Sequence, residues 1–226
     1  MTSRGPEADE GVHPTGMHDS LIPLKAVIFD YGKVLSHPQS DQNMAAIAKA
    51  AGMPVERMHG QYWRYRTAFD RGDLSVEAYW KAVSSDLTSE QVREIIRLDN
   101  ESWSRPNPAM VRWAATLRAK GIRTGVLSNM PVTLRGHVMA EVEWLRGFDQ
   151  YTFSCDVNLV KPEEGIYRHA LAALGVAAEE ALFLDDREDN VEGARRAGLH
   201  ALTFHDAGQA NGEIQGRYAL PAIELQ

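Results

Sequence analysis

Apolar positions along this chain follow two periods. Five short runs, 24–29, 124–127, 151–154, 181–184 and 200–204, are largely continuous in apolar residues and end in polar ones. Such runs predict buried strands that empty into loops. Between them the apolar spacing lengthens to that of helices. Asn107 and Pro108 open one that carries Met110, Trp113, Ala114 and Leu117 and stops at Gly121. Pro162 opens another, with Ile166, Tyr167, Ala170, Leu171 and Leu174 on one face and Gly175 at its end. A third runs from Asn190 to Ala197, closed by Gly198.

Strands alternating with helices predict an α/β chain, a Rossmann-like parallel sheet with crossover helices. One stretch departs from that alternation. After the first strand the pattern is helical alone: Val55, Met58, Tyr62, Tyr65 and Phe69, then Val76, Tyr79, Trp80 and Val83, then a helix after Thr88, where Thr88 and Gln91 fit a capping box. This predicts an inserted small helical cap domain over residues 38–105, on a core made of 21–37 and 106–226. Residues 1–20, polar and rich in Gly and Pro, read as a disordered leader. The segment after Phe204 has no assigned role, although Tyr218 to Pro221 offers a short edge element.

Composition narrows the functional classes. With 31 acidic and 24 basic residues the formal charge is -7, so no general basic field draws nucleic acid or an anionic membrane. Cys155 is the single cysteine, which excludes an intrachain disulfide and every multi-thiolate zinc or iron-sulfur site and reads as a small buried hydrophobe. No apolar run reaches the ~20 residues of a membrane span. No apolar signal segment opens the chain, and a cytoplasmic protein, monomer or homodimer, is expected.

In a parallel sheet, ligands bind beyond the carboxyl ends of the strands. There this sequence places Asp30, then Ser128 and Asn129, then Lys161, then Asp185 and Asp186. Each alone is an ordinary turn, cap or helix-start residue. Four in order, each after an apolar run, form one candidate site.

The segments FDYGKVL, VLSN, VKPEEGIYRHAL and LFLDDREDNVEGARRAGL resemble motifs one to four of the haloacid dehalogenase-like superfamily, across about 180 residues. Gly32 and Asn190 resemble a sugar-phosphatase-like group typified by bacterial α-glucose-1-phosphate phosphatases. The resemblance implies Mg²⁺-dependent hydrolysis of a small phosphate ester, with Asp30 as nucleophile. It implies metal ligation by Asp30, the Gly32 carbonyl and Asp186, with Asp185 direct or water-mediated and Asn190 orienting the carboxylates. Ser128 and Asn129 would donate to the phosphoryl group and Lys161 would stabilise its charge.

Many members carry a second aspartate where this chain has Gly32, a position that protonates the leaving group. Lys33, His37, Asp70 and Asp73 are the substitutes the sequence offers, although 70–73 reads equally as a solvated turn. Tyr62, Trp63, Tyr65 and Arg66 are expected mostly in the core of the cap. Two rivals stand beside this reading: a metal-free 2-haloacid dehalogenase, disfavoured by the adjacent acids, and a non-catalytic phosphate-binding scaffold.

Overall fold

The computed structural model describes residues 21–225; the expected leader, 1–20, lies outside them. In chain order the elements are β1 (Ala26–Phe29), α1 (Asp41–Ala51), α2 (Val55–Arg64), α3 (Arg66–Arg71), α4 (Val76–Val83), α5 (Ser89–Ser102), α6 (Pro108–Ala119) and β2 (Arg123–Ser128). Beyond β2 come α7 (Val132–Glu141), β3 (Gln150–Phe153), α8 (Ser154–Val157), α9 (Glu164–Leu174), β4 (Ala181–Asp185), α10 (Glu188–Arg196), β5 (His200–Thr203) and α11 (Ala207–Arg217).

The strands form one parallel sheet in the order β3-β2-β1-β4-β5. Strand side chains alternate between its two faces, and both faces are buried. In β1, Val27 and Phe29 join Trp113 of α6 and Ile214 of α11. Ala26 and Ile28 join Ile166, Tyr167 and Leu174 of α9 and Val191 of α10. This two-sided burial is why the runs read as continuous rather than alternating.

The order places a topological switch between β1 and β4. The chain winds outward from β1 through β2 to β3, then returns to β4 on the other side. The crevice this leaves at the carboxyl ends of β1 and β4 is the standard ligand position of such sheets. Phe29 pairs with Leu184, so Asp30 and Asp185 leave neighbouring strands side by side.

Several expectations shift at their edges. α9 begins at Glu164 rather than Pro162, because residues 160–163 form a turn closed by Glu163 N–H to the Val160 carbonyl at 2.8 Å. α10 starts at Glu188, two residues before Asn190. The 55–69 stretch is two helices broken at Tyr65, and α1 is an additional helix, opened by a Ser40–Asn43 capping box. The Thr88–Gln91 capping box opens α5. Met44, Ile47, Met58, Tyr62, Phe69, Tyr79 and Trp80 give the insert its own apolar centre.

Cys155 is half-buried rather than buried, and burial pushes its thiol up to about 11. The C-terminal segment docks by α11 and then by Leu220 and Ile223 in the core. Its contact with Ile22 is one bridge at Tyr218, not a strand. Among the described residues, no helix is long and apolar enough to cross a membrane.

Candidate active site

The carboxyl ends of β1, β2 and β4 converge on Lys161. Its ammonium donates to Asp30 Oδ1 at 2.8 Å, Asp185 Oδ2 at 2.5 Å and the Leu127 carbonyl at 3.1 Å. Lys161 is 4% exposed, so the view of it as a solvated helix-start residue is overturned. Burial works to lower its pKa, but Asp185 and Asp30 outweigh burial and hold the ammonium above its ordinary value.

Asp30 feels the opposite pressure. Burial is the largest influence, and with Asp185 and Asp186 it pushes the carboxyl up to about 7 against the pull of Lys161. Ligand atoms of Asp30, Asp185 and Asp186 lie within 4.8 Å of one another. An oxygen-only donor set of this kind suits a hard divalent cation.

The three carboxylates are not equivalent. Both Asp185 oxygens accept from Asn190 Nδ2, at 3.0 and 3.1 Å; Oδ2 also takes Lys161, and Oδ1 takes the Arg187 amide at 2.9 Å. Asp185 is fully buried and is absent from the cavity wall, whereas Asp30 and Asp186 line it. Asp186 is held from outside by Lys33, whose Nζ stands 2.7 Å from Oδ2. The helix N-cap explanation for this acid pair fails, because Arg187 is the cap of α10 and caps with no side-chain bond.

The cavity encloses about 410 Å³ and is lined from the core by Gly32, Ser128, Asn129 and Lys161 and from the insert by Trp63, Arg66 and Asp70. Ser128 is buried and faces it. The Asn129 side chain is turned away to the Lys161 backbone: Oδ1 accepts the Lys161 amide at 2.8 Å and Nδ2 donates to its carbonyl at 3.1 Å. Asn129 therefore clamps the Lys161 loop while still lining the cavity. α10 closes the other side of that loop, where a Cβ on Gly193 would lie 2.7 Å from Pro162 Cβ and 2.8 Å from its carbonyl.

The insert contributes what sequence reasoning placed elsewhere. Asp70 is buried, not solvated, and its Oδ1 accepts Arg66 Nε at 2.6 Å. Arg66 also bonds the Tyr62 hydroxyl and lies 3.8 Å from Asp99. Trp63 is 44% exposed on the cavity side rather than in the apolar centre. Trp103 carries no sequence signal of its place here: a Cβ on Gly32 would sit 3.4 Å from its Cζ3. Neither His37 nor Asp73 lines the cavity; Asp73 pairs with Arg71.

Residues 24–198 match the family model of haloacid dehalogenase-like hydrolases. The chain is 26% identical over 209 residues to phosphatase MT3486 of Mycobacterium tuberculosis, covering 88% of this chain and 96% of that one. Four other curated relatives are longer proteins, of which it spans 20% to 37%. A family enzyme of Bacteroides thetaiotaomicron, solved with magnesium and inorganic phosphate, superposes with a TM-score of 0.69 at 16% identity, covering 83% of this chain and 98% of that chain. The L-2-haloacid dehalogenase of Xanthobacter autotrophicus gives a TM-score of 0.60 at 18% identity, covering 87% and 84%. Structural likeness at these identities shows the shared fold.

Proposed function

Because the chain belongs to the haloacid dehalogenase-like hydrolase family, we propose that it hydrolyses a small phosphorylated metabolite through an aspartyl-phosphate on Asp30. The observation that carries this reading is the Asp30–Lys161 pair opening onto a cavity beside a second carboxylate, Asp186, which Lys33 holds from outside. That second carboxylate would repel a haloacid's own carboxylate unless a cation were bound, whereas a metal-bound phosphate benefits from it. The phosphatase name of the mycobacterial relative and the magnesium and phosphate in the Bacteroides structure support the same choice.

Asp30 and Asp186, with the Gly32 carbonyl, would hold Mg²⁺, which supplies positive charge for the phosphate oxygens. Asp185 is committed to Lys161, Asn190 and the Arg187 amide, so it acts as a positioning residue. Lys161 neutralises charge gathering on the transferring group, and Ser128 donates to it. Asn129 keeps Lys161 in reach. The helical insert acts as the cap: Trp63, Arg66 and Asp70 cover the cavity, exclude water and contact the organic part of the ester.

The test is turnover of p-nitrophenyl phosphate and a panel of sugar phosphates with Mg²⁺ or EDTA, beside Asp30→Asn. Mg²⁺-dependent turnover lost in the variant supports the reading. A folded protein that binds Mg²⁺ and turns over none of them refutes it in favour of a binding scaffold.

A further inference from the structure

Gly32 leaves the reaction without a proton carrier on the core. The cavity wall holds three carboxylates, Asp30, Asp186 and Asp70. The first two belong to the acidic cluster and face the site of the cation. The other titratable groups of the wall are committed elsewhere: Lys33 to Asp186, Lys161 to Asp30 and Asp185, and the Tyr31 hydroxyl, which donates to the Trp103 carbonyl at 2.9 Å. Asp70 lines the same cavity from α3 of the insert, near enough to Lys161 to feel its charge.

Resting on the phosphatase reading above, we propose that Asp70 is the general acid and base that replaces the residue missing at position 32. In the first step the Asp30 carboxylate bonds to phosphorus, the bond from phosphorus to the leaving oxygen breaks, and Asp70 gives that oxygen its proton, releasing the alcohol. In the second, the Asp70 carboxylate takes a proton from water as the water oxygen bonds to phosphorus and the bond to Asp30 breaks. Inorganic phosphate leaves, Asp30 is free, and Asp70 is protonated again.

Three features suit it to this work. Among the described hydrogen bonds, Asp70 Oδ1 takes Arg66 Nε and none reaches Oδ2, which leaves one oxygen without a described partner on a residue that lines the cavity. Its main chain is fastened to the core rather than to a swinging lid. Ser154 Oγ donates to the Asp70 carbonyl at 2.5 Å and accepts the Met130 amide at 3.0 Å; Asn158 donates to the Arg71 carbonyl, and Arg71 pairs with Glu163. The loops that carry Ser128 and Lys161 thereby also locate Asp70. Finally, the charged groups that face it are Arg66 from α3, Asp99 from α5 and Lys161 from the core, and burial outweighs the two cations to hold its carboxyl above the ordinary range.

The decisive comparison is Asp70→Asn against the natural protein on two aryl esters, with saturating Mg²⁺. Dinitrophenolate leaves without a proton, whereas phenolate needs one. D70N should lose about 10²–10⁴-fold in kcat/KM on phenyl phosphate and at least ten-fold less than that on 2,4-dinitrophenyl phosphate. On the activated ester it should also show a burst of about one dinitrophenolate per protein as hydrolysis of the aspartyl-phosphate slows. Equal losses on both esters, or none on phenyl phosphate, overturn the proposal.

Should D70N not fold, the natural protein decides: its kcat/KM should differ little between the two esters, and a steep dependence on the leaving group overturns the proposal. If the natural protein turns over neither these esters nor any of the sugar phosphates, the phosphatase reading itself fails and takes this inference with it. Turnover with the wrong leaving-group pattern removes Asp70 alone.

Discussion

Lys161 Nζ lies 2.8 Å from Asp30 Oδ1, with the two side chains 1% and 11% exposed. Taking one member from such a pair leaves a desolvated charge, which typically costs about 3–5 kcal/mol. Lys161→Met should therefore be destabilised by that order in urea titration without metal, and should lose turnover. Saturating Mg²⁺ should return part of the lost stability, because a cation between Asp30 and Asp186 offsets the same carboxylates. A variant as stable as the natural protein in EDTA would contradict the buried pair.

The raised Asp30 carboxyl makes stability depend on pH. Folding lifts its pKa from 3.8 to about 7, so the folded state binds the proton more tightly than the unfolded chain. Stability from this group is full below about 3.8 and falls as pH rises toward about 7. In EDTA, Asp30→Asn removes that slope, so the difference in melting temperature between variant and natural protein should move in the variant's favour as pH rises from 5 to 8, by roughly 2–4 °C for each kcal/mol. Thermal melts from pH 5 to 8 on both proteins measure it; parallel curves would contradict the shift.

Cation binding should respond to the two residues around Asp186. Asp186→Asn should abolish the rise in melting temperature that Mg²⁺ produces. Lys33→Ala removes a positive charge from Asp186 Oδ2 and should tighten Mg²⁺ binding, by no more than about five-fold. That bound is the ~1 kcal/mol of two unit charges in water, discounted because Lys33 is half exposed. Calorimetric titration separates the two outcomes.

Gly193 tests the support of Lys161 from behind. Gly193→Ala pushes a methyl group into the Pro162 backbone, so it should cost about 1–3 kcal/mol. It should lower kcat through displaced Lys161 while leaving Mg²⁺ affinity near its natural value. Melting temperature, kcat and Mg²⁺ titration on this variant check all three.

How far the sequence can be read depends on the range of each interaction. The strands and their polar ends are legible, because burial on both faces writes a continuous apolar run and the switch point gathers the polar residues at the strand ends. Asp30 and Asp185 need no more than that, whereas Lys161 stands past the end of β3, beyond α8. The Asn129 side-chain direction is not legible, since it depends on a loop 32 residues away. Asp70 reads as solvated in the sequence although Arg66 stands one helical turn before it, a pairing at the spacing that joins neighbours on a helix surface. α1 is rich in alanine and carries its signal mainly in the Ser40–Asn43 cap. Trp103 gives no local sign of its contact with Gly32.

That last contact bears on how such a protein can change. The place beside residue 32 is already furnished by an aromatic ring from the end of α5. An aspartate introduced there by one substitution would begin life against an indole instead of in open cavity. A Cβ there makes ordinary van der Waals contact with the ring, so an aspartate at position 32 needs no prior change at position 103.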